Sequence, residues 1–284
     1  GNFNPEALYP TPHPDTQGTD GDDPSQKVRT LFVSDLHLGT RGCQADFLVH
    51  FLRTYDADTV YLVGDIVDGW RLKKSWYWPQ AHNDVVQKLL RKGRKGARIV
   101  YIPGNHDEVL REFAGNNFGA VELLLNDIHE MADGRRYLIM HGDEFDVVVR
   151  HAKWLALLGD WAYRTAIILN TGLNVIRRRM GFQYWSLSSY LKLKVKNAVS
   201  FIGEYEQALT QEARRRGVDG VICGHIHHAS DRMIGDIHYV NTGDWVESCT
   251  AVVEHMDGRL EIIRWMDRHA EPKALPLGQT QVAA

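Results

Sequence analysis

The sequence predicts an α/β protein in which short apolar strands alternate with amphipathic helices. Three observations predict it. Short apolar runs recur along the chain, each ending in polar groups with a glycine nearby. The segments between the early runs carry apolar residues at helical spacing. Toward the C-terminus, Gly235-Asp236 and Asp257-Gly258 separate alternating runs, the signature of antiparallel hairpins.

Residues 28–36 (VRTLFVSDL) read as a buried strand. Phe47, Leu48, Phe51 and Leu52 then place one apolar face on a helix over 43–55. Residues 59–63 form a second strand, ending at Gly64-Asp65. Residues 80–95 read as a helix that stops in a basic, glycine-containing turn. The third strand, 97–102, ends at Pro103-Gly104-Asn105; the fourth, 136–140, at His141-Gly142; the fifth, 218–223, at Gly224-His225. Segment 146–216 lacks strand-like runs and reads as helices over 148–176, 186–200 and 201–216. The expected organisation is a disordered leader over 1–27, a core over 28–145 and 217–270, a helical insertion over 146–216 and a flexible tail over 271–284.

The chain has 284 residues, enough for one large domain or two small ones at about 150 residues each. At 44% apolar and 24% charged residues it is neither a wholly disordered nor a collagen-like chain. The net charge of -3, from 33 Lys and Arg against 36 Asp and Glu, argues against a basic nucleic-acid binder. It averages two unlike parts. Segment 146–216 holds 12 basic and 5 acidic residues, so the remainder sums to -10. Nine of the 28 aromatics fall in that segment: Trp154, Trp161, Tyr163, Phe182, Tyr184, Trp185, Tyr190, Phe201 and Tyr205. A helical insertion of this composition suits anionic substrates and a peripheral contact with a membrane face. Cys43, Cys223 and Cys249, an odd number, fit a reducing compartment. No run reaches 18 apolar residues and no secretory signal is visible, so the expected location is cytoplasmic, with inner-membrane contact at most peripheral. The 14 histidines stand out, since imidazole is the commonest metal ligand.

Five predicted strands end in the same kind of group: Asp35-x-His37, Gly64-Asp65, Gly104-Asn105-His106-Asp107, His141-Gly142 and Gly224-His225-x-His227. In open α/β sheets the ligand crevice lies outside the carboxyl ends of the strands, so these side chains would converge. Oxygen and imidazole donors without cysteine point away from structural zinc and toward a catalytic Mn²⁺, Fe, Co²⁺ or Zn²⁺ site. Seven donors exceed the needs of one metal with an open position. Shared through a bridging carboxylate, they suit two metals about 3.5–4 Å apart, a device for in-line attack at phosphorus.

The blocks SDLHLG (34–39), GDIVD (64–68), GNHDE (104–108), HGD (141–143) and GHIH (224–227) resemble the five motifs of calcineurin-like metallophosphoesterases in order and spacing. The resemblance implies a double-sheet sandwich flanked by helices, with 146–216 inserted as a helical lid. It implies that Asp35, His37, Asp65 and His227 hold one divalent metal and that Asp65, Asn105, His141 and His225 hold the other. Mn²⁺ is the expected metal, with Fe, Co or Zn the alternatives. His106 would act at the phosphoryl group as general acid or charge stabiliser, with Asp107 orienting its ring, while a metal-bridging hydroxide attacks.

Within that family the chain is similar to bacterial UDP-2,3-diacylglucosamine diphosphatases of lipid A biosynthesis. GDIVDGW and LIMHGD match their blocks, and the insertion after HGD corresponds to their lid over acyl chains. That subfamily carries Arg where this chain has His106. The resemblance implies a lipid-linked nucleotide substrate. A lipid phosphomonoesterase and a soluble phosphodiesterase or nuclease are the alternatives. In the insertion, Arg177 opens a three-arginine run, and Lys192 and Lys196 share a helix face at i and i+4; these are the candidate substrate contacts. Trp161, Phe182, Tyr184 and Trp185 could line an acyl pocket or pack between helices. Cys43 precedes a helix whose dipole could lower its pKa. Cys223 reads as inert packing.

Overall fold

The computed structural model describes residues 26–145 and 187–269, with side chains described for 26–145 and 201–268. Two sheets face each other. The first has seven strands in the order β12-β11-β1-β2-β3-β5-β4. They are β1 (Gln26–Val33), β2 (Tyr55–Val63), β3 (Arg98–Ile102), β4 (Asn117–Phe118), β5 (Val121–Leu123), β11 (Thr250–Glu254) and β12 (Leu260–Arg264). β1, β2, β3 and β5 run parallel, with antiparallel strands at both edges. The second has five strands in the order β6-β7-β8-β10-β9. They are β6 (Asp127–Glu130), β7 (Arg136–Ile139), β8 (Gly220–Cys223), β9 (Ser230–Ile234) and β10 (Ile237–Asn241).

Side-chain alternation assigns each strand face to a layer. On β1, Leu31 and Val33 join the cluster under the outer helices, while Phe32 points into the space between the sheets. On β7, Tyr137 and Ile139 face inward and Leu138 faces outward; on β8, Ile222 faces inward and Val221 and Cys223 outward. Both faces of the central strands are therefore buried, which explains why their sequences are continuously apolar rather than alternating. The inner layer is locked by Phe32 stacked on Tyr61 at 5.2 Å. The outer face of the first sheet is covered by α1 (Ala45–Thr54) and α3 (Gln80–Arg94), with α5 (Trp265–His269) at its edge. A short helix, α2 (Gly69–Lys74), follows β2.

The outer face of the second sheet is covered by α4, Leu187–Arg215. The two helices expected over 186–200 and 201–216 are one helix of 29 residues. No proline or cap interrupts it, and a single Gly203 costs only about 1 kcal/mol against alanine. Phe201, Tyr205, Leu209 and Ala213 recur every fourth residue and pack on β7, β8 and β10. From Phe201 onward, segment 146–216 thus packs on the sandwich. Residues 146–186, which hold the remaining lid expectations, lie outside the described residues.

Candidate metal centre

Every predicted ligand follows the C-terminal end of a parallel strand. Asp35 and His37 follow β1, Asp65 follows β2, Asn105 follows β3, His141 follows β7, and His225 and His227 follow β8. The first sheet supplies the oxygen donors and His37; the second supplies three imidazoles. Asp35, His37, Asp65 and His141 are buried.

The backbone shows what it takes to turn seven donors inward. Six described non-glycine residues have positive φ, and five of them are Asp35, His37, Asp65, His225 and His227, with φ between 50° and 73°. Such positions cost about 1–3 kcal/mol each and persist only where the surroundings dictate them. Two glycines make the space. A methyl group on Gly104 would stand 2.6 Å from His141 Nε2 and collide with the Asp65 carboxylate. Gly64, at φ +82°, lies against the His141 ring.

The predicted ligand atoms fall into two of three groups with metal-binding spacing among the described residues, the third being His37, Asp68 and His106. Asp35, His37 and His227 offer donors all within 4.8 Å of one another, and Asp65, His141 and His225 do the same. His227 Nε2 is 3.2 Å from Asp35 Oδ1 and 3.4 Å from His37 Nε2. His141 Nε2 is 3.4 Å and His37 Nε2 4.0 Å from the same oxygen, Asp65 Oδ2, so Asp65 stands between the groups. Asn105 Oδ1, Asp35 Oδ1 and His141 Nε2 are buried and make no hydrogen bond. Orphaned buried lone pairs of this kind are expensive unless a cation takes them.

Neighbouring atoms hold these donors in ligating form. His141 Nδ1 lies 2.8 Å from the Val63 carbonyl and donates to it, which leaves the Nε2 lone pair facing Asp65. Asp35 Oδ2 accepts from the His225 backbone N–H at 3.0 Å and from the Ser34 hydroxyl. Asp65 Oδ1 accepts from the His106 N–H at 2.9 Å. Tyr205 of α4 donates to the carbonyls of His141 and Gly224, each at 3.2 Å, and so ties two ligand loops to one helix.

The electrostatics also ask for cations. Burial opposes ionisation of Asp65, but the charge of His141, 3.4 Å away, and the His106 N–H hold its pKa well below the usual carboxylate range. Burial likewise opposes a charge on His141; Asp65 and Asp35 overcome it and push the imidazole up to about 10. His227 is raised against its burial by Asp35. Protons on these imidazoles do the neutralising that divalent metals would do, and metal binding would displace them. The donor set therefore fits two divalent ions with a shared carboxylate.

His106 lies beside this cluster, outside both groups. Its ring meets His37 edge-on at 4.7 Å between centroids and is covered by Trp70, at 4.3 Å. The carboxylate at its ring is Asp68, 3.1 Å from Nδ1, and the same Asp68 oxygen is 3.2 Å from His37 Nδ1. This corrects the expected role of Asp107. Asp107 is buried in its own loop, where it accepts from the backbone N–H groups of Gly104, Ile66 and Val67 and from the Tyr101 hydroxyl at 2.6–3.3 Å. It braces the loop rather than the ring. Asp68 closes the quoted GDIVD block, but nothing in the sequence says that its carboxylate reaches two histidines.

Arg177 lies outside the described residues; Lys192 and Lys196 lie on α4, with their side chains outside them. Burial pushes the Cys43 thiol up to about 12, against the expected effect of the helix dipole. Cys223 is buried and also pushed up to about 12 by burial.

A family model for calcineurin-like phosphoesterases matches residues 28–229. A UDP-2,3-diacylglucosamine hydrolase of Porphyromonas gingivalis is 26% identical over 267 residues, covering 81% of this chain and 98% of that protein. One of Blochmanniella pennsylvanica is 28% identical over 116 residues, 40% of this chain and 46% of that protein. Among solved structures, a phosphoesterase from E. coli aligns over 83% of this chain and 98% of its own, at 13% identity and a TM-score of 0.42. With the family model spanning all five ligand loops, the chain belongs to the calcineurin-like phosphoesterase family of metal-dependent phosphoesterases.

Proposed function

We propose that the protein is a dinuclear-metal phosphohydrolase that cleaves the pyrophosphate of a lipid-linked nucleotide such as UDP-2,3-diacylglucosamine. The observation that carries the hydrolase reading is the pair of donor groups with Asp65 standing between them, and buried polar atoms left over on Asp35, Asn105 and His141. Asp35, His37, Asp65 and His227 would hold one cation; Asp65, Asn105, His141 and His225 would hold the other. Two bound cations would supply Lewis-acid polarisation of phosphoryl oxygens and lower the pKa of a water molecule. Mn²⁺ is the proposed resident, with Fe, Co or Zn as alternatives.

The chain's own residues do the rest. His106 is one-quarter exposed at the edge of the cluster, so its ring can reach a phosphoryl oxygen. With Nδ1 turned to Asp68, Nε2 is the free position from which a proton is given to the leaving oxygen. Asp68 orients His37 through a hydrogen bond at 3.2 Å and sets a carboxylate 3.1 Å from His106 Nδ1. Asp107 keeps the loop carrying Asn105 and His106 in register. Within segment 146–216, Arg177, Lys192 and Lys196 are the proposed contacts to the diphosphate, and the aromatic residues the lining for acyl chains. A substrate of this kind places the enzyme at the inner face of a membrane.

The lipid-linked substrate is supported by the relatives' names and by the basic, aromatic composition of 146–216. His106, where the similar subfamily carries Arg, keeps a second reading open: a lipid phosphomonoesterase. The test compares kcat/KM on UDP-2,3-diacylglucosamine, on a lipid phosphomonoester and on a soluble aryl phosphodiester, with Mn²⁺ present. Preference for the first sustains the proposal. Preference for the monoester moves the bond cleaved, and preference for the soluble diester removes the lipid.

A further inference from the structure

We infer that α2 and the loop after it, residues 69–78, form the surface by which the catalytic core lies on an anionic lipid bilayer. The inference rests on the membrane-bound substrate proposed above only for its purpose; the surface is argued from its own chemistry.

α2 has six residues, three of them cations and none acidic. Leu72 is turned inward, where it fills the space beside Gly39. Arg71, Lys73 and Lys74 are left exposed. Among the described residues, Trp76 is the most exposed large apolar side chain, at 76%, and Trp70 is 44% exposed. A tryptophan so open gains nothing from the protein core. Indole rings with lysine and arginine beside them are what the bilayer interface accepts.

The loop is built to present Trp76 rather than to let it wave. Trp78 packs against the core cluster and meets His82 edge-on at 5.6 Å. Tyr77 is covered by the Arg41 guanidinium at 4.6 Å. Trp76 stacks on Trp78 at 6.3 Å and stands outside both. The charge is local: three cations are concentrated on a chain whose net charge is -3. The place is also fitting. Trp70, at the start of α2, lies on the ring of His106, so a bilayer against this face would open directly onto the metal centre.

The test is co-sedimentation of the Mn²⁺-loaded, full-length chain with phosphatidylcholine vesicles, with and without phosphatidylglycerol. Wild type is expected to bind the anionic vesicles and to be released as salt shortens the Debye length from about 10 Å at 0.1 M to about 3 Å at 1 M. The double variant Lys73→Ala/Lys74→Ala is expected to bind about twenty-five-fold more weakly, about fivefold per lysine. Trp76→Ala is expected to weaken binding at every salt concentration. All variants should keep wild-type metal content and wild-type cleavage of a soluble aryl phosphodiester, which shows that they are folded. Variants that bind like wild type would overturn the inference and leave membrane contact to 146–216. A wild type that ignores anionic vesicles, yet cleaves the lipid-linked substrate in micelles, would overturn it while the hydrolase reading stands. Vesicle binding lost in the variants by a protein that does not cleave that substrate would uphold the surface and remove the proposed substrate.

Discussion

Two places in the sandwich pair a carboxylate of the first sheet with an imidazole of the second, and they are built to opposite ends. At the metal centre, Asp65 faces His141 with lone pairs to spare and with left-handed backbone on most of the donor residues. At the other, Glu254 of β11 faces His129 of β6 at 2.7 Å, and nothing is left over. Glu254 Oε1 accepts from Arg29 at 2.6 Å and the Ala132 N–H at 2.9 Å; Oε2 accepts from Thr30 at 2.6 Å and from His129. None of these five residues has positive φ. The same pair of side-chain types is a structural lock where every lone pair is used and a binding site where some are not. Strain and unsatisfied polar atoms, rather than residue type, separate them.

The sharpest way to break that contrast is Asp65→Ala. If Asp65 serves both donor groups, the variant should lose both ions by elemental analysis and lose turnover altogether, while Glu254 keeps the sheets together and the fold intact by circular dichroism. A variant that retains two ions per chain would show that the groups bind independently.

His106→Ala separates chemistry from binding within the same centre. It should keep both ions and lose about 10²–10⁴ in kcat if His106 transfers a proton. Asp68→Asn should do something different, because Asp68 touches both His106 and the ligand His37. It should lower kcat and also weaken metal affinity about 10–100-fold, the usual effect of removing the partner of a ligating histidine. Equal metal affinity in Asp68→Asn and wild type would confine Asp68 to the His106 side.

The contrast also explains what could be read from the sequence. Asp35, Asp65, Asn105, His141 and His225 are legible because each lies two or three residues past the end of a strand, and strand ends are set by local apolar runs. Asp68 was not assigned a role because its function is made across space, from the N-terminus of α2 to a ring in another loop. Asp107 shows the same limit: adjacency to His106 in the chain does not aim its carboxylate at the ring. The strands β4 and β5, two and three residues long, carry too few residues for any period to register. The lock at Glu254 was silent because its members lie on four separate elements or loops, and no spacing connects them.

That lock yields the smallest and cleanest effect, seen only in stability. Burial opposes ionisation of Glu254, but the hydrogen bonds from His129, Thr30, Ala132 and Arg29 prevail and bring its pKa down to about 2, from an ordinary 4.5. The unfolded chain therefore takes up a proton at higher pH than the folded one. The resulting stabilisation, about 3 kcal/mol, is complete above about pH 4.5 and is lost as pH falls toward 2. Glu254→Gln should be less stable than wild type at pH 7 by an amount of that order, and the difference should shrink steadily below pH 4.5. Metal content and kcat should not change, since the lock shares no atom with the centre. Urea melts at a series of pH values measure it. Equal stability at pH 7 would mean that the pairing is replaceable by neutral hydrogen bonds, and a fall in kcat would mean that the two carboxylate–imidazole pairs are coupled through the strands between them.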